Sequence, residues 1–317
     1  MDWLRVLGPF LGLALVLLLF ALLSGDPGRY LGPGNARIVL TQTVIVALGA
    51  MGMTVIIAAG GIDLSVGSVV ALSSVAAAVA LRAEWPPLAA LAAGVFAGGI
   101  AGLVNGLAIT RLRVAPFIAT LGMLGVARGV AKWLAGEQTV NIPATWLNDL
   151  AATFPAQPWM LVAPGVWLAL ALAVLAAVAL RNTVFGRRVF ALGSNEAAAR
   201  ACGIETEHLK LYIYSLGGLF FGLAGVVQMS RLRQGDPTVA LGVELDVIAA
   251  VVIGGASLSG GQGSILGSMV GALTMAFLRN GCQLMGWPNY IQEIIIGVII
   301  VLAVAADRFR AARLAAS

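Results

Sequence analysis

What this chain lacks is charge. Only 10% of its 317 residues are Asp, Glu, Lys or Arg, against about 25% in an ordinary soluble domain. It has one histidine, His208, two cysteines and two lysines, Lys132 and Lys210. Each shortage excludes something. Two cysteines cannot frame a disulfide scaffold. With one histidine there is no cluster at metal-ligand spacing and no credible Ser/His/Asp constellation. Neither lysine follows the glycine frame of a phosphate-binding loop, G-x-x-x-x-G-K-[ST]. What the chain does have is apolar surface: 60% of residues are hydrophobic, 40 are glycine, and the mean hydropathy is +0.98. A soluble domain of this size would face water with too much apolar surface, and a disordered chain needs the opposite balance. A polytopic membrane protein remains. At about 20 residues per span, roughly 190 apolar residues suffice for about nine or ten helices.

Apolar runs broken by charge or by Gly and Pro give ten candidate spans, at 4–23, 38–59, 64–81, 87–110, 114–134, 160–180, 209–230, 243–258, 264–284 and 289–306. The first is too long, and too poor in flanking charge and cleavage-site residues, to read as a signal peptide. The positive-inside rule sets direction. With the N-terminus inside, the inner segments hold Arg5, Arg111, Arg113, Arg181, Arg187, Arg188, Arg200, Lys210, Arg308, Arg310 and Arg313, and the outer loops hold Arg29, Arg37, Arg82, Arg231 and Arg233. Both termini are therefore expected in the cytoplasm. The pI of 9.8 reflects this bias; a basic stripe with interleaved aromatics is absent, so nucleic acid is not an expected partner. Cys202 and Cys282 fall on opposite sides and read as small apolar residues. An outer stretch at 136–159, with Pro143, Pro155 and Pro158, is expected to hold a short helix near 144–152. The one long polar segment inside is 182–208.

The chain also resembles itself. An offset of 175 residues aligns Gly60 with Gly235, Gly67 with Gly242, Leu103 with Leu278 and Asn105-Gly106 with Asn280-Gly281; an offset of 172 aligns Pro116 with Pro288 and Gly125 with Gly297. Five spans separate the copies, and an odd number means opposite orientation. Inverted repeats of this kind build transporter pathways about a pseudo-twofold axis. The expected fold is all-α: one transmembrane domain over 1–317 with about ten helices in two inverted-repeat halves, 38–134 and 209–306.

Several motifs admit both a structural and a functional reading. Residues 60–68, GGIDLSVGS, join spans two and three. Gly60 and Gly61 permit a tight turn, and Asp63 or Ser65 can cap the next helix. Together with Gly67 the segment reads equally as a re-entrant hinge beside a pathway, since non-helical backbone at depth survives only inside protein or a wet cavity. Residues 258–262 spell LSGGQ, an ATPase signature that means nothing without a phosphate-binding loop; Gly254, Gly255, Gly260 and Gly261 there make a glycine-rich joint instead. Residues 195–203 read as a short cytoplasmic helix. Asn195 caps it, Glu196, Ala197, Ala198, Ala199 and Arg200 form it, and Gly203 stops it. His208 reads as capping the start of span seven. Arg128, Lys132, Glu244, Asp246 and Glu293 lie toward the outer ends of spans, where snorkelling and charge pairing account for them. Uncharged Gln42, Thr43, Asn105, Thr120, Gln228 and Gln283 suit a neutral polyhydroxyl ligand better than an ion.

These segments carry a family resemblance. GGIDLSVGS at 60–68, GRRVFALGSNEAAARACGI at 186–204, ELDVIAAVVIGGASLSGGQG at 244–263, PFIATLG at 116–122 and the stretch 280–297 resemble the permease subunits of bacterial ABC importers for ribose-like monosaccharides. The resemblance covers nearly the whole chain. It implies an inner-membrane pore made with a second permease subunit, identical or related. It implies cytoplasmic ABC ATPase subunits that bind ATP and Mg, and a periplasmic binding protein that delivers sugar. This chain would carry no cofactor or metal. Residues 195–203, within the coupling segment 182–208, would seat in the ATPase. Gly60, Gly67 and 254–263 would let helices tilt beside a pathway that includes Asn105 and Thr120. Arg231, Arg233 and Asp236 would dock the binding protein. Competing expectations are a branched-chain amino-acid permease of the same superfamily, an ion-coupled transporter, which should carry acids near mid-membrane, and a membrane enzyme, which lacks its constellation.

Overall fold

The computed structural model describes residues 3–155 and 160–315; Pro158 and Trp159 of the outer stretch lie outside them. The helices, in chain order, are α1 (Trp3–Leu23), α2 (Pro27–Leu31), α3 (Pro33–Ala58), α4 (Val66–Arg82), α5 (Pro87–Thr110), α6 (Pro116–Ala135), α7 (Pro164–Asn182), α8 (Val184–Ser194), α9 (Glu196–Ala201), α10 (Thr206–Leu232), α11 (Val243–Ile253), α12 (Ile265–Leu284) and α13 (Asn289–Ala315). Proline opens α2, α3, α5, α6 and α7, the position where its missing N–H costs nothing. The all-α expectation needs one amendment: β1 (Val140–Asn141) and β2 (Gln234–Gly235) pair antiparallel, Val140 opposite Gly235. The short helix expected near 144–152 is a single 3-10 turn, Trp146–Asp149.

Among the described residues six helices, α3, α5, α6, α7, α10 and α12, are long and apolar enough to cross a membrane. Leu11, Leu15, Leu18 and Leu22 of α1, Phe96 and Ile100 of α5, and Val298 and Val301 of α13 are exposed. Exposed apolar surface this extensive marks contact with lipid. Beneath it, α3 is apolar all round and buried along its second half, which makes it the centre of the bundle, packed by α10, α11 and α12.

Span eight departs from the expected 243–258. The helix stops at Ile253, where Gly254 and Gly255 (φ +88°) turn the chain. Its 11 residues rise only about 16 Å, half a bilayer core. It has no need to span: Val247, Ala249, Ala250 and Val251 are fully enclosed by protein. Hydropathy cannot mark this helix end, because Gly254, Ala256 and Ser257 beyond it are still buried.

Lipid is as apolar as a leucine core, so close packing rather than transfer from water holds helices together there. The most extensive helix contact is between α5 and α10. Gly94, Gly98, Gly102 and Gly106 recur every fourth residue down α5 and meet a stripe on α10 containing Gly218 and Gly222. A Cβ at Gly98 would lie 2.6 Å from the Gly222 Cα, and one at Gly222 would lie 2.6 Å from the Val95 carbonyl oxygen. Backbone touches backbone along this crossing.

Candidate functional site

Three candidate regions lie along the molecule. The first is the joint between α3 and α4. Gly60 takes φ +82°, and the Gly60 and Gly61 amides donate to the Ile57 and Ile56 carbonyls at 2.9 Å each, closing the helix end. Asp63 and Ser65 do not cap α4 through their side chains. Instead Asp63 Oδ1 accepts from the Ser65 amide at 2.8 Å and the Ser65 hydroxyl at 2.5 Å, and Asp63 Oδ2 accepts from Asn105 Nδ2 at 3.2 Å. All three residues are buried. Three donors on one carboxylate fit its ionised, acceptor-only form. Burial pushes the Asp63 carboxyl up from the ordinary carboxylate range, and the bonds from Ser65 and Asn105 pull it back down. Thr120 Oγ1 reaches the Ile62 carbonyl at 3.5 Å. The structure thus brings Asp63, Ser65, Asn105 and Thr120 together. Gly67 lies apart, at the start of α4, where a Cβ would strike the Ala240 carbonyl oxygen. The N-terminal ends of α4 and α11 meet there.

The second region is on the face of the molecule that carries α9. The end of α8 and the two glycine joints close on one another: the Gly261 amide donates to the Ala58 carbonyl at 2.9 Å, and a Cβ at Gly260 would lie 2.6 Å from the Gly193 oxygen and 2.9 Å from the Gly60 Cα. Gly254 and Gly255 sit beyond, with Gly254 against the backbone of Gly267. Alongside stands α9. Asn195 Oδ1 accepts from the Ala198 amide at 3.0 Å, and Gly203 (φ +83°) ends the turn, both as expected from local capping chemistry. Ala197, Ala198 and Arg200 are exposed, while Ala199 is buried against the chain. Glu196 accepts from Lys210 of α10 at 2.7 Å on both oxygens, and Arg200 donates to Thr206 at 3.0 Å. Sequence reasoning passed over Lys210, although the scarcity of lysine was a signal. His208 does not cap α10; its Nδ1 pairs with Glu205 at 2.8 Å.

The third region is on the opposite face. Here α3, α10, α11 and α12 enclose a cavity of about 350 Å³, lined in part by Gln42, Gln228, Arg231, Asp246, Arg279 and Gln283. Arg279 Nη2 is 2.8 Å from Asp246 Oδ1 and 2.7 Å from Oδ2. Of the residues expected on this face, Arg231 lines the cavity and Arg233 is exposed at a left-handed φ of 56°. Asp236 accepts from the Thr238 amide at 2.8 Å and its hydroxyl at 2.7 Å. Arg128 does not snorkel: its Nη1 donates to the Pro237 and Val239 carbonyls at 2.8 and 2.7 Å. Among the described residues no group of three or more His, Cys, Asp or Glu could hold a metal ion.

Comparison with known proteins finds relatives along nearly the whole chain. Ribose import permease protein RbsC of Escherichia coli (strain K12) is 41% identical over 292 residues, 92% of this chain and 91% of the relative. RbsC of Bacillus subtilis (strain 168) is 40% identical over 308 residues, 96% of this chain and 94% of the relative. L-arabinose ABC transporter permease protein AraH of Azospirillum brasilense is 37% identical over 294 residues, covering 93% and 86%. No solved structure matches. The family described as "Branched-chain amino acid transport system / permease component" matches residues 35–304, and with that extent of match the chain belongs to this permease family.

Proposed function

We propose that this chain is the transmembrane permease subunit of an ATP-driven, binding-protein-dependent importer of a monosaccharide in the bacterial inner membrane. The observation that carries the reading is α9, a capped helix with two exposed alanines, tied through Glu196 and Lys210 to the second turn of the long, largely buried helix α10. Small exposed side chains let a partner's cleft close over the helix. The Lys210–Glu196 pair makes α10 follow it. The chain pairs with a second permease subunit, the same or related, to enclose the pathway, and ATP and Mg belong to ATPase subunits that seat on α9. The α9 face and both termini are cytoplasmic, and the binding protein docks on the opposite face, at Arg231, Arg233 and Asp236.

Of about ten apolar helices, the four in 38–134 and the four in 209–306 form two inverted halves, with α1 and α7 outside them. Support comes from a matched pair of local structures. Gly60 and Gly67, around the start of α4, correspond at the 175-residue offset to Gly235 and Gly242, before α11. Each joint holds a carboxylate that accepts the amide two residues on at 2.8 Å, Asp63 and Asp236, although these two acids are 173 residues apart. Each leads into a short, mostly buried helix, and the two helices meet at their N-terminal ends. In this reading the glycines of the two joints, Gly60, Gly61, Gly67, Gly254, Gly255, Gly260 and Gly261, let the halves rock when α9 is pushed, and Asp63, Ser65, Asn105 and Thr120 hold the inner joint together. The family description names branched-chain amino acids, but the relatives reported above carry ribose and L-arabinose in their names and match nearly the whole chain. The sugar reading therefore has the better support.

Two experiments test the coupling. Ala198→Glu puts a bulky charge on the exposed side of α9 without touching the core. It should abolish co-purification of the ATPase and sugar uptake while leaving the permease folded in the membrane; normal uptake would remove α9 from the interface. Glu196→Lys and Lys210→Glu should each let ATP hydrolysis run on with uptake reduced about tenfold, and the doubly reversed variant should recover most of it. A double variant no better than the singles would mean that the pair does not transmit motion.

A further inference from the structure

The cavity between α3, α10, α11 and α12 has an unusual lining for a membrane protein. Gln228 is 4% exposed, lines the cavity and makes no hydrogen bond to any described residue. The residue is buried, but its two donors and its acceptor border the cavity, where solvent or a ligand pairs them. Gln42 and Gln283, on α3 and α12, face the same volume. Arg279 is held by Asp246 through Nη2, which balances its charge, while its Nε is buried without a partner. Three carboxamides thus border a space of about 350 Å³, within the roughly 300–1,000 Å³ of small-molecule sites.

We propose that this cavity is a binding subsite for the transported ligand in the permease itself, and that the ligand is a neutral polyhydroxyl compound of monosaccharide size. The inference rests on the importer reading above and deepens it. A hydroxyl both donates and accepts, so adjacent hydroxyls match carboxamides, which do the same. A carboxylate or phosphate would use only the N–H groups of the carboxamides; Asp246 balances the charge of Arg279, and Arg231, the other cation of the lining, is exposed to solvent. A small apolar molecule would offer Gln228 no partner. The subsite also connects to the motor. Gln228 and Lys210 lie on one helix, 18 residues apart, a rise of roughly 27 Å. A shift of α10 driven through Glu196 therefore moves one wall of the subsite.

The test uses the full complex in proteoliposomes supplied with ATP, its binding protein, and labelled D-ribose, L-arabinose or D-fructose. Gln228→Met keeps the length of the side chain and removes its polar atoms. It should lower uptake of the transported sugar by about tenfold or more, the worth of one or two lost hydrogen bonds. The variant complex should melt at the same or a higher temperature, because no hydrogen bond to a described residue is lost and the side chain becomes apolar. Loss of function with gain of stability is a signature that a purely structural glutamine would not produce. Uptake within about twofold of wild type would overturn the subsite. If the melting temperature falls, Gln283→Leu decides. Gln283 is exposed on the cavity wall, so its loss spares the fold; reduced sugar uptake upholds the subsite, and unchanged uptake overturns it. A wild-type complex that takes up leucine and none of the three sugars overturns the importer reading and the subsite together. A transporting wild type with indifferent glutamine variants overturns the subsite alone.

Discussion

Gly102→Ala should destabilise the protein by about 3 kcal/mol or more, a large effect for one methyl group. The reason is what the methyl would meet. A Cβ at Gly102 runs into the Tyr214 carbonyl oxygen and lies 3.0 Å from the Gly218 Cα. Both are backbone atoms of α10, which cannot rotate out of the way as a side chain would. The helices must separate, and the contacts at Gly94, Gly98 and Gly106 are lost with them. Association within lipid depends on such close packing, so no transfer term compensates. The same substitution at Gly125 of α6, where nothing lies within 4 Å, should leave stability unchanged or raise it by up to about 1 kcal/mol through helix propensity. Thermal unfolding of the two purified variants in one detergent checks the contrast. Equal melting temperatures would show that the α5–α10 crossing tolerates separation.

Asp63→Ala should cost about 3–5 kcal/mol and most of the folded yield in the membrane. It removes the acceptor for three buried donors, the Ser65 amide, the Ser65 hydroxyl and Asn105 Nδ2, and each donor left unpaired costs about 1–3 kcal/mol. Asp63→Asn should fall between wild type and alanine. Its oxygen can still serve Ser65, but its new NH₂ faces the NH₂ of Asn105. Adding Asn105→Asp then supplies an acceptor and should recover part of the loss, which a double-mutant cycle on melting temperature would read directly. An Asp63→Ala variant as stable as wild type would mean that the joint is held by its glycines and packing alone.

Local chemistry was legible in part: Asn195 and Gly203 bound α9, while Asp63, Ser65 and His208 do not cap the helices they were expected to cap. The expected span at 264–284 is α12, Ile265–Leu284, and the one at 114–134 is α6, Pro116–Ala135, because apolar runs bounded by Pro and polar caps end where their own backbone ends. The α9 helix was legible for the same reason: an Asn cap, an alanine run and a glycine stop act within one turn. The end of α11 was not legible, since buried non-helical residues are as apolar as buried helical ones.

The site divides along the same line. Sequence by itself determined that this is a charge-poor membrane protein without a phosphate loop or a metal cluster, that α9 projects as a capped helix, and that glycine marks the two joints. It also picked out Gln42, Gln228 and Gln283 by their chemistry. Only the tertiary structure decided that Asp63 meets Asn105, 42 residues away, that Lys210 holds Glu196, that the glycines of α5 have a partner in α10, and that three glutamines share one cavity with the Arg279–Asp246 pair. Capping, turn formation and hydropathy depend on neighbours along the chain. Convergence depends on which helix faces which, and that is set by backbone approaches, many of them at glycine, between segments that one helix period cannot relate.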